Sequence, residues 1–551
     1  MTSPDPRPGE ASPRARPIVE RLVRDARAGR MPRREFMALA SIFGASAATA
    51  AALIGAPSPL RARSGEPRRG GTLRIGMQVQ EIADPRLFDW PQQADIARTF
   101  CEPLVRMHAD GTFSGVLLAG WEVADDARRH VLHLREDVRW NNGDPFNADD
   151  VIFNIERWCD RSVEGNAMAS RMAALIDPET DRARDGAIRK LDSHRVALDP
   201  ARPDITLIAG MAEFSALIVH PQHAQSGDLA QSPIGTGPFE LESHEIGARA
   251  RLVRRRDGGW WGGEAHLDAV EFIDYGTDPS ALVSAFDGGE IDANEETSSE
   301  FVELLDGLGL VRASAISAHT MVARMRMDTP PYDDRRVRNA IQLAVDNAVV
   351  LELGIDGFGA VAENHHVGPM HPEYAELSPP AHDPAQALAL LEEAGHADTE
   401  FELISIDDDW RRASADAIAA QLRDAGMKVQ RRVLPGATFW NGWTSYPFSV
   451  TDWGARPLGV QVLALAYRTG EPWNESAHSD PEFDALLAEA NGLFDADARR
   501  DVMRRLQGIL QSNGVIIQPF WIELASHHHP GVRHWDNLNR IMFLGETWLA
   551  A

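Results

Sequence analysis

Asp-Pro pairs at the head of apolar runs set strong limits on how this chain can fold. In Asp278-Pro279, Asp383-Pro384 and Asp480-Pro481, the aspartate can cap a helix and the proline suits its first turn. The runs that follow the first two pairs stop at Gly288 and Gly395, and glycine commonly ends helices. Each pair therefore predicts the start of a helix.

Strand-like stretches separate these helices. Residues 70–77 and 429–434 have the apolar patterns of strands, and residues 121–134 predict a hairpin. Further helices are predicted after Asn147, which is a good N-cap, and over 414–425, with Ser414 as the cap and Gly426 as the stop. Helices that alternate with strands in this way predict α/β lobes.

The first 56 residues differ in composition from the rest of the chain. They carry nine arginines against five acidic residues, and an uncharged run occupies 37–59. Arg33 and Arg34, with Phe36 shortly after them, resemble a twin-arginine export signal. The alternative is a basic tail ahead of a membrane anchor, because the run approaches the ~20 residues that a span requires. Its alanines and glycines are weakly apolar for an anchor, which favours cleaved export to the periplasm.

Charge and cysteine count exclude several classes of function. The 551-residue chain has a formal net charge of −27, so nucleic acid and anionic lipid surfaces are poor partners. The two cysteines, Cys101 and Cys159, leave open a disulfide or two separate buried thiols. Phosphate-loop, zinc-protease and nucleophile-elbow motifs do not occur, so we expect no cofactor and no catalysis.

The stretch 439–457, FWNGWTSYPFSVTDWGARP, concentrates aromatic residues. Six of its nineteen residues are aromatic in a chain that is 7% aromatic overall. Such side chains could line an apolar slot, and Asp452 and Arg456 could bind the opposite charges of one small ligand. The alternative is an ordinary core cluster beside a solvent-facing ion pair.

The segment 140–158, WNNGDPFNADDVIFNIERW, resembles the signature of the family 5 extracellular solute-binding proteins. These are the peptide, opine and nickel receptors of ABC importers. Further matches follow in the family's order, namely GGTLRIG from 70, SPIGTGPF from 232, GEID from 289, DRRVRNA from 334 with AVD from 344, and DPEFD from 480. Together these matches span 70–551.

The resemblance implies a two-lobed periplasmic binding protein fold of type II, with an extra subdomain inserted in lobe one. After an export signal and linker at 1–69, lobe one would take 70–110, 233–314 and 516–551. The insertion would take 111–232, and lobe two would take 315–515. Two segments must then cross between the lobes, and 311–327 and 514–521 are the candidates.

The resemblance also suggests where a ligand would bind. In lobe two, Asp452 would bind an amino or cationic group, and Arg456 would bind a carboxylate in bidentate geometry. The ring systems that could stack on the ligand are those of Trp440, Trp443 and Trp453. In lobe one, the candidates follow the ends of predicted strands and are Asp84, Trp90, Asn294 and Glu295. For every candidate, core packing or a local ion pair is the alternative.

The expected function is that of a periplasmic receptor, a monomer that captures a small charged solute such as a peptide, an opine or another amino-acid derivative. Hinge closure around the solute would present it to a membrane ABC permease. One alternative is an exported hydrolase or lyase that uses Glu295 and Asp452, and another is a sensory receptor that docks on a membrane kinase. A nickel or metal-chelate receptor is a further alternative, suggested by His365, His366 and His371 and by the run 527–529. For that run we expect exposure to solvent instead.

Overall fold

A computed structural model describes residues 16–55, 66–108, 111–124, 126–257, 259–276, 278–493, 495–538 and 540–550. The chain divides into two compact units. The first unit comprises residues up to Ser314 together with Leu524–Ala551, and the second unit comprises Ala315–Glu523. The boundaries fall within two strands, Val311–Met325 and Phe520–His528.

Most helices of the first unit are short. They are Arg16–Arg27, Arg33–Ile42, Ala47–Leu53, Pro91–Arg98, Ala148–Trp158, Ala167–Arg171, Thr206–Gly210, His223–Ser226, Pro279–Asp287 and Val302–Gly307, with 3₁₀ turns at Pro85–Leu87 and Ser299–Phe301. None of the helices in the described ranges is long and apolar enough to cross a membrane.

The strands of the first unit form one main sheet and several smaller ones. They are Thr72–Gly76, Val105–Met107, Phe113–Gly115, Leu118–Val123, His130–Leu134, Ile176–Asp177, Arg182–Ala183, Ile188–Asp192, Arg195–Leu198, Phe239–Glu245, Arg249–Arg254, Ala269–Ile273, Ala293–Asn294, Val532–Arg533, Asn537–Leu538, Ile541–Met542 and Trp548–Leu549. In the main sheet, Thr72–Gly76 lies between Ala269–Ile273 and Ala293–Asn294 and runs parallel to both.

The predicted hairpin at 121–134 is confirmed. Strands Leu118–Val123 and His130–Leu134 pair antiparallel, and Arg195–Leu198 extends this smaller sheet. The helix after Asn147 is also confirmed as Ala148–Trp158, and the Asn147 side chain accepts a hydrogen bond from the N–H of Asp149 at 2.8 Å.

The second unit alternates longer helices with strands, as the sequence predicts for an α/β lobe. Its helices are Arg335–Leu343, Asn347–Ile355, Pro384–Ala394, Asp409–Asp424, Gly436–Gly442, Gly459–Ala466, Pro481–Ala490 and Ala496–Ser512. Its remaining strands are Gly359–Val361, Glu400–Ile406, Lys428–Leu434, Phe448–Trp453 and Ile516–Ile517.

Strand Phe448–Trp453 is central in the sheet of the second unit. It pairs antiparallel with 320–325 on one side and, through Ser449, with Ile404 of Glu400–Ile406 on the other. Glu400–Ile406 in turn pairs parallel with Lys428–Leu434. Helices Arg335–Leu343, Asn347–Ile355 and Asp409–Asp424 contribute apolar residues to the core on this sheet.

The Asp-Pro caps are confirmed, but one predicted helix start is wrong. Asp278, Asp383 and Asp480 each accept a backbone N–H bond in the first turn of their helix. The helix expected from Ser414 instead begins at Asp409 and is capped by Asp408. Because Ser414 is fully buried inside that helix, it does not serve as a cap.

Candidate functional site

The main sheet of the first unit ends beside a cavity. Gly76, the last residue of its strand, pairs in register with Asn294. A cavity of about 170 Å³ lies there, and Asp278, Glu295 and Glu296 are among its lining residues. Apolar walls come from Met77, Pro279, Leu282, Val283, Phe301 and Leu305. Two predicted residues, Asn294 and Glu295, therefore line one cavity at the carboxyl ends of parallel strands.

Glu295 is buried and held from two sides. Arg540 Nε donates a hydrogen bond to its Oε1 at 2.5 Å, and Gln92 Nε2 donates to its Oε2 at 3.1 Å. Burial raises the pKa of Glu295, and the positive charge of Arg540 opposes this rise. The backbone N–H of Glu295 donates to the carbonyl of Gly76 at 3.1 Å. The carboxylate is thus fixed at the end of the strand.

Gln92 lines the same cavity and is 7% exposed. Its Oε1 accepts no hydrogen bond from any residue that the structure describes. The amide orientation is set by Glu295, because a carboxylate needs the NH₂ group on its side. A buried acceptor without a donor costs about 1–3 kcal/mol. A ligand N–H group in the cavity would remove this cost.

Asn294 organises the loop of the cavity. Its Nδ2 donates to the Glu296 carbonyl at 2.7 Å and to Thr297 Oγ1 at 2.8 Å, and its Oδ1 accepts from the N–H of His527 at 2.7 Å. His527 is fully buried and its Nε2 lies 3.1 Å from Asp306 Oδ1. The expectation of an exposed histidine run is therefore wrong for His527 and His528, which are buried, and is confirmed for His529 alone.

Asp84 and Trp90 lie outside the lining of this cavity. Asp84 is buried and accepts from Arg86 Nε at 2.9 Å and from Arg157 Nη2 at 2.6 Å. Burial favours a raised pKa for Asp84, but the His223 ring 3.9 Å away and the charges of Arg157 and Arg86 hold its pKa well below the usual range. Half-buried Trp90 directly precedes helix Pro91–Arg98.

In the second unit, Asp452 is already engaged by two partners. Arg411 Nε donates to its Oδ1 at 2.8 Å, and His319 Nε2 lies 3.1 Å from its Oδ2. Burial would raise the pKa of Asp452, but the charge of Arg411 and the hydrogen bond with His319 hold it well below the usual range. Arg411 also pairs with Asp408. Asp452 is therefore the centre of a charged network within this unit.

Trp453 is 4% exposed and points its indole N–H at a buried carboxylate. Trp453 Nε1 and Thr451 Oγ1 donate to Glu475 Oε1 at 2.8 and 2.7 Å. Arg324 Nε donates to Glu475 Oε2 at 2.9 Å, and the same guanidinium donates to the carbonyls of Trp443 and Tyr446. Glu475 thus links Trp453 to Arg324 of strand Val311–Met325, and Arg324 in turn holds the backbone of the aromatic stretch at Trp443 and Tyr446.

Trp440 and Trp443 are half-buried and belong to a smaller aromatic cluster. They pack on a group of buried residues that includes Phe439 and Ile406. The ring centroids of Trp440 and Trp443 are 6.2 Å apart, and those of Trp443 and Trp453 are 6.4 Å apart, each pair edge to face. The aromatic stretch is therefore continuous through these three rings.

Arg456 follows the central strand and is 6% exposed. Its Nη1 donates to the carbonyls of Gly454 and Ala455 at 3.1 Å. His366 Nδ1 lies 2.8 Å from the hydroxyl of Tyr467, and its ring meets Trp453 edge to face with centroids 5.5 Å apart. Burial holds the pKa of His366 well below its usual range, and the charge of Arg456 contributes. Arg456 thus places positive charge beside neutral aromatic groups.

Comparison with known proteins decides the family. The model of the bacterial extracellular solute-binding proteins, family 5 (middle region), matches residues 112–475. The chain belongs to this family. The di/tripeptide-binding protein 3 of Pseudomonas aeruginosa UCBPP-PA14 is 26% identical over 448 residues, which are 75% of this chain and 82% of that protein. The glutathione-binding protein GsiB of Salmonella typhi is 25% identical over 471 residues, 79% of this chain and 85% of GsiB.

A solved structure extends the match to the fold. The periplasmic binding protein DppA of Helicobacter pylori, in complex with the peptide STSA, matches with a TM-score of 0.75 at 20% identity, covering 88% of this chain and 98% of DppA. The predicted fold class, the two-lobed α/β periplasmic binding protein, is confirmed. The family and its relatives are named as solute-binding or peptide-binding proteins, so this chain is a solute-binding protein and not an enzyme. The alternative of an exported hydrolase or lyase is therefore set aside.

The sequence analysis of this family 5 protein did not identify several residues that contact the predicted site residues. Gln92, His319, Arg411 and Glu475 meet the predicted residues only through tertiary contacts, and their sequence neighbours give no signal. Among the residues that the structure describes, no group of three or more His, Cys, Asp or Glu side chains is placed to hold a metal ion. The two cysteines, whose pairing the sequence left open, are buried free thiols.

Proposed function

We propose that this family 5 protein captures a small amino-acid-derived solute, with short peptides as the first candidates, and presents it to the permease of an ABC importer. Relatives that are named for di- and tripeptides and for glutathione support this substrate class. We further propose that the protein is exported to the periplasm by its twin-arginine-type signal and acts as a monomer. Both points remain predictions from the sequence.

The observation that carries the proposal is the Gln92 acceptor, which is buried and has no donor among the residues that the structure describes. Gln92 lines the cavity, and a solute N–H donor toward which its amide turned would give Oε1 the hydrogen bond that it lacks within the described structure. Asp278, Glu295 and Glu296 line the cavity, and Arg540 pairs with the two glutamates, so acidic groups outnumber this one cation and favour an ammonium group. The apolar walls leave room for an aliphatic portion of the solute. Asn294 and Glu295 therefore stay in the proposed site, with Glu295 as an indirect partner through Gln92.

In the second unit, we propose Arg456 as the partner of a solute carboxylate. Its guanidinium is buried and acts electrostatically on the His366 ring, a setting in which a charged hydrogen bond is strong. Asp452 is the weaker candidate for the amino group, since a ligand amine would have to compete with Arg411 and His319. Stacking by Trp440, Trp443 or Trp453 stays a prediction, as does a contact from Trp90. For Asp84, which accepts hydrogen bonds from Arg86 and Arg157, we expect a structural role instead.

Calorimetry with a panel of dipeptides tests the proposal, after native mass spectrometry has shown which solute copurifies. We expect Gln92→Leu to weaken binding about tenfold or more, because a hydrogen bond to a charged group is worth ~1.5–3 kcal/mol. Gln231→Leu, at an exposed position of the same unit, is the matched control. Arg456→Gln should weaken binding of free dipeptides but not of their carboxyl-terminal amides.

Two results would contradict these assignments. Unchanged affinity in Gln92→Leu would remove the cavity of the first unit from the binding site. An equal loss for free and amidated peptides in Arg456→Gln would remove the carboxylate contact. X-ray scattering gives a separate test of hinge closure, because we expect a smaller radius of gyration when the protein is saturated with solute.

A further inference from the structure

The segment with the paired arginines is folded onto the first unit. Helix Arg33–Ile42 contacts the helices Arg16–Arg27 and Ala47–Leu53 on either side of it in sequence. Eight of its ten residues are buried. Phe36 and Leu39 have no exposed surface. A helix that is buried on nearly all sides requires a partner surface, and the first unit provides it.

That partner surface is built from directional contacts. The backbone N–H of Phe113 donates to Ser41 Oγ at 2.9 Å, and Trp121 Nε1 donates to the carbonyl of Ile42 at 2.7 Å. Gly44 has a φ of +87°, and a Cβ at this position would lie 2.6 Å from the carbonyl oxygen of Trp121. The chain can approach this closely only because residue 44 is glycine.

The two arginines are placed differently from the apolar residues that follow them. Arg33 and Arg34 are exposed, whereas residues 35–42 are all buried. The helix thus separates the two parts of the predicted export signal. The charged part is open to solvent, and the apolar part is covered by the protein.

We propose, on the basis of the export signal proposed above, that the folded first unit binds the mainly apolar part of its own leader, residues 36–44, and leaves the paired arginines on the surface. This docked state protects a run of apolar residues from water and from other chains, while the two arginine side chains lie at the surface. Membrane insertion of the leader or cleavage after it requires undocking. Release exposes the N–H groups of Phe113 and Trp121, so the processed protein gains a surface that the full chain does not have.

Thiol labelling of the full-length chain tests the proposal. Ala38→Cys places a reporter at a fully buried leader position, and Glu20→Cys places one at an exposed position. The native Cys101 and Cys159 are fully buried and report on the integrity of the fold. We expect the cysteine at 38 to react at least ~tenfold more slowly than the one at 20, because labelling then requires a local opening.

A second substitution in the Ala38→Cys chain tests the contact itself. Gly44→Ala should accelerate labelling about tenfold, because the added methyl group collides with the Trp121 carbonyl. Gly29→Ala is the matched control, since Gly29 also has a positive φ but has no atom within 4 Å of the added Cβ. Equal rates at positions 38 and 20 would overturn the proposal by showing a free leader. Equal effects of the two glycine substitutions, with the native thiols still protected, would overturn the docking contact at Trp121.

Discussion

Glu475→Gln tests whether one buried carboxylate holds the aromatic stretch of the second unit together. Glu475 is 3% exposed and accepts hydrogen bonds from Arg324, Thr451 and Trp453. Glutamine has nearly the same shape, but its NH₂ group turns one of these three contacts into a donor facing a donor. It also leaves the fully buried guanidinium of Arg324 without its counter-charge.

The expected cost follows from this geometry. Removing one partner of a buried, hydrogen-bonded ion pair costs about 3–5 kcal/mol, because the remaining charge stays in a region of low polarity. For a urea slope of about 3 kcal/mol per M, the unfolding midpoint of the second unit should fall by about 1–2 M. Asp501→Asn is the matched control in the same unit. It breaks a pair with Arg504 in which the aspartate side chain is 75% exposed, and we expect less than about 0.5 kcal/mol.

Urea unfolding followed by tryptophan fluorescence and near-ultraviolet circular dichroism measures both variants. In Glu475→Gln the indole N–H of Trp453 no longer has a carboxylate oxygen as its acceptor, so the near-ultraviolet spectrum of the folded protein should change as well. If the midpoint of Glu475→Gln moves no further than that of Asp501→Asn, the carboxylate does not carry the stability assigned to it. A folded-state spectrum equal to that of the wild type would show that Trp453 keeps its position without Glu475.

Two further predictions concern the first unit. Burial lowers the pKa of His130 from 6.5 to about 4, so the unfolded chain binds this proton more readily than the folded chain does, and the unfolding free energy falls as the pH drops through this window. His130→Leu should therefore remove about 3 kcal/mol of acid sensitivity between pH 7 and pH 4 in urea titrations. An unchanged slope would refute this. Asp84→Asn should lower the unfolding free energy while leaving solute affinity unchanged in calorimetry, because Asp84 pairs with Arg86 and Arg157; lost affinity in a stably folded variant would return Asp84 to the binding site.

Features set by neighbours in sequence could be predicted, and features set by distant residues could not. The cap at Asp383 depends on a backbone N–H only three residues away, so its signal lies within a short window. The failure at Ser414 has the same origin, because Asp408 caps the same helix six residues before the predicted cap. In contrast, Asp452 finds His319 at a separation of 133 residues. The sequence showed a carboxylate at position 452, but it could not show that His319 and Arg411 contact that carboxylate.

The aromatic stretch shows why composition alone left two interpretations open. Its last part, Phe448–Trp453, is a strand that is paired along both edges, and five of its six residues are buried, so the alternation of exposed and buried residues disappears. Its first part, 439–446, packs as a separate half-buried cluster. The neighbours that decide this division come from 320–325 and 400–406, outside the stretch itself. The high aromatic content therefore reflects both a buried strand and a neighbouring half-buried cluster. Arg456 lies just beyond this strand and is the residue of the stretch on which we place the binding proposal. Asp452 is the weaker candidate, because Arg411 and His319 already contact its carboxylate.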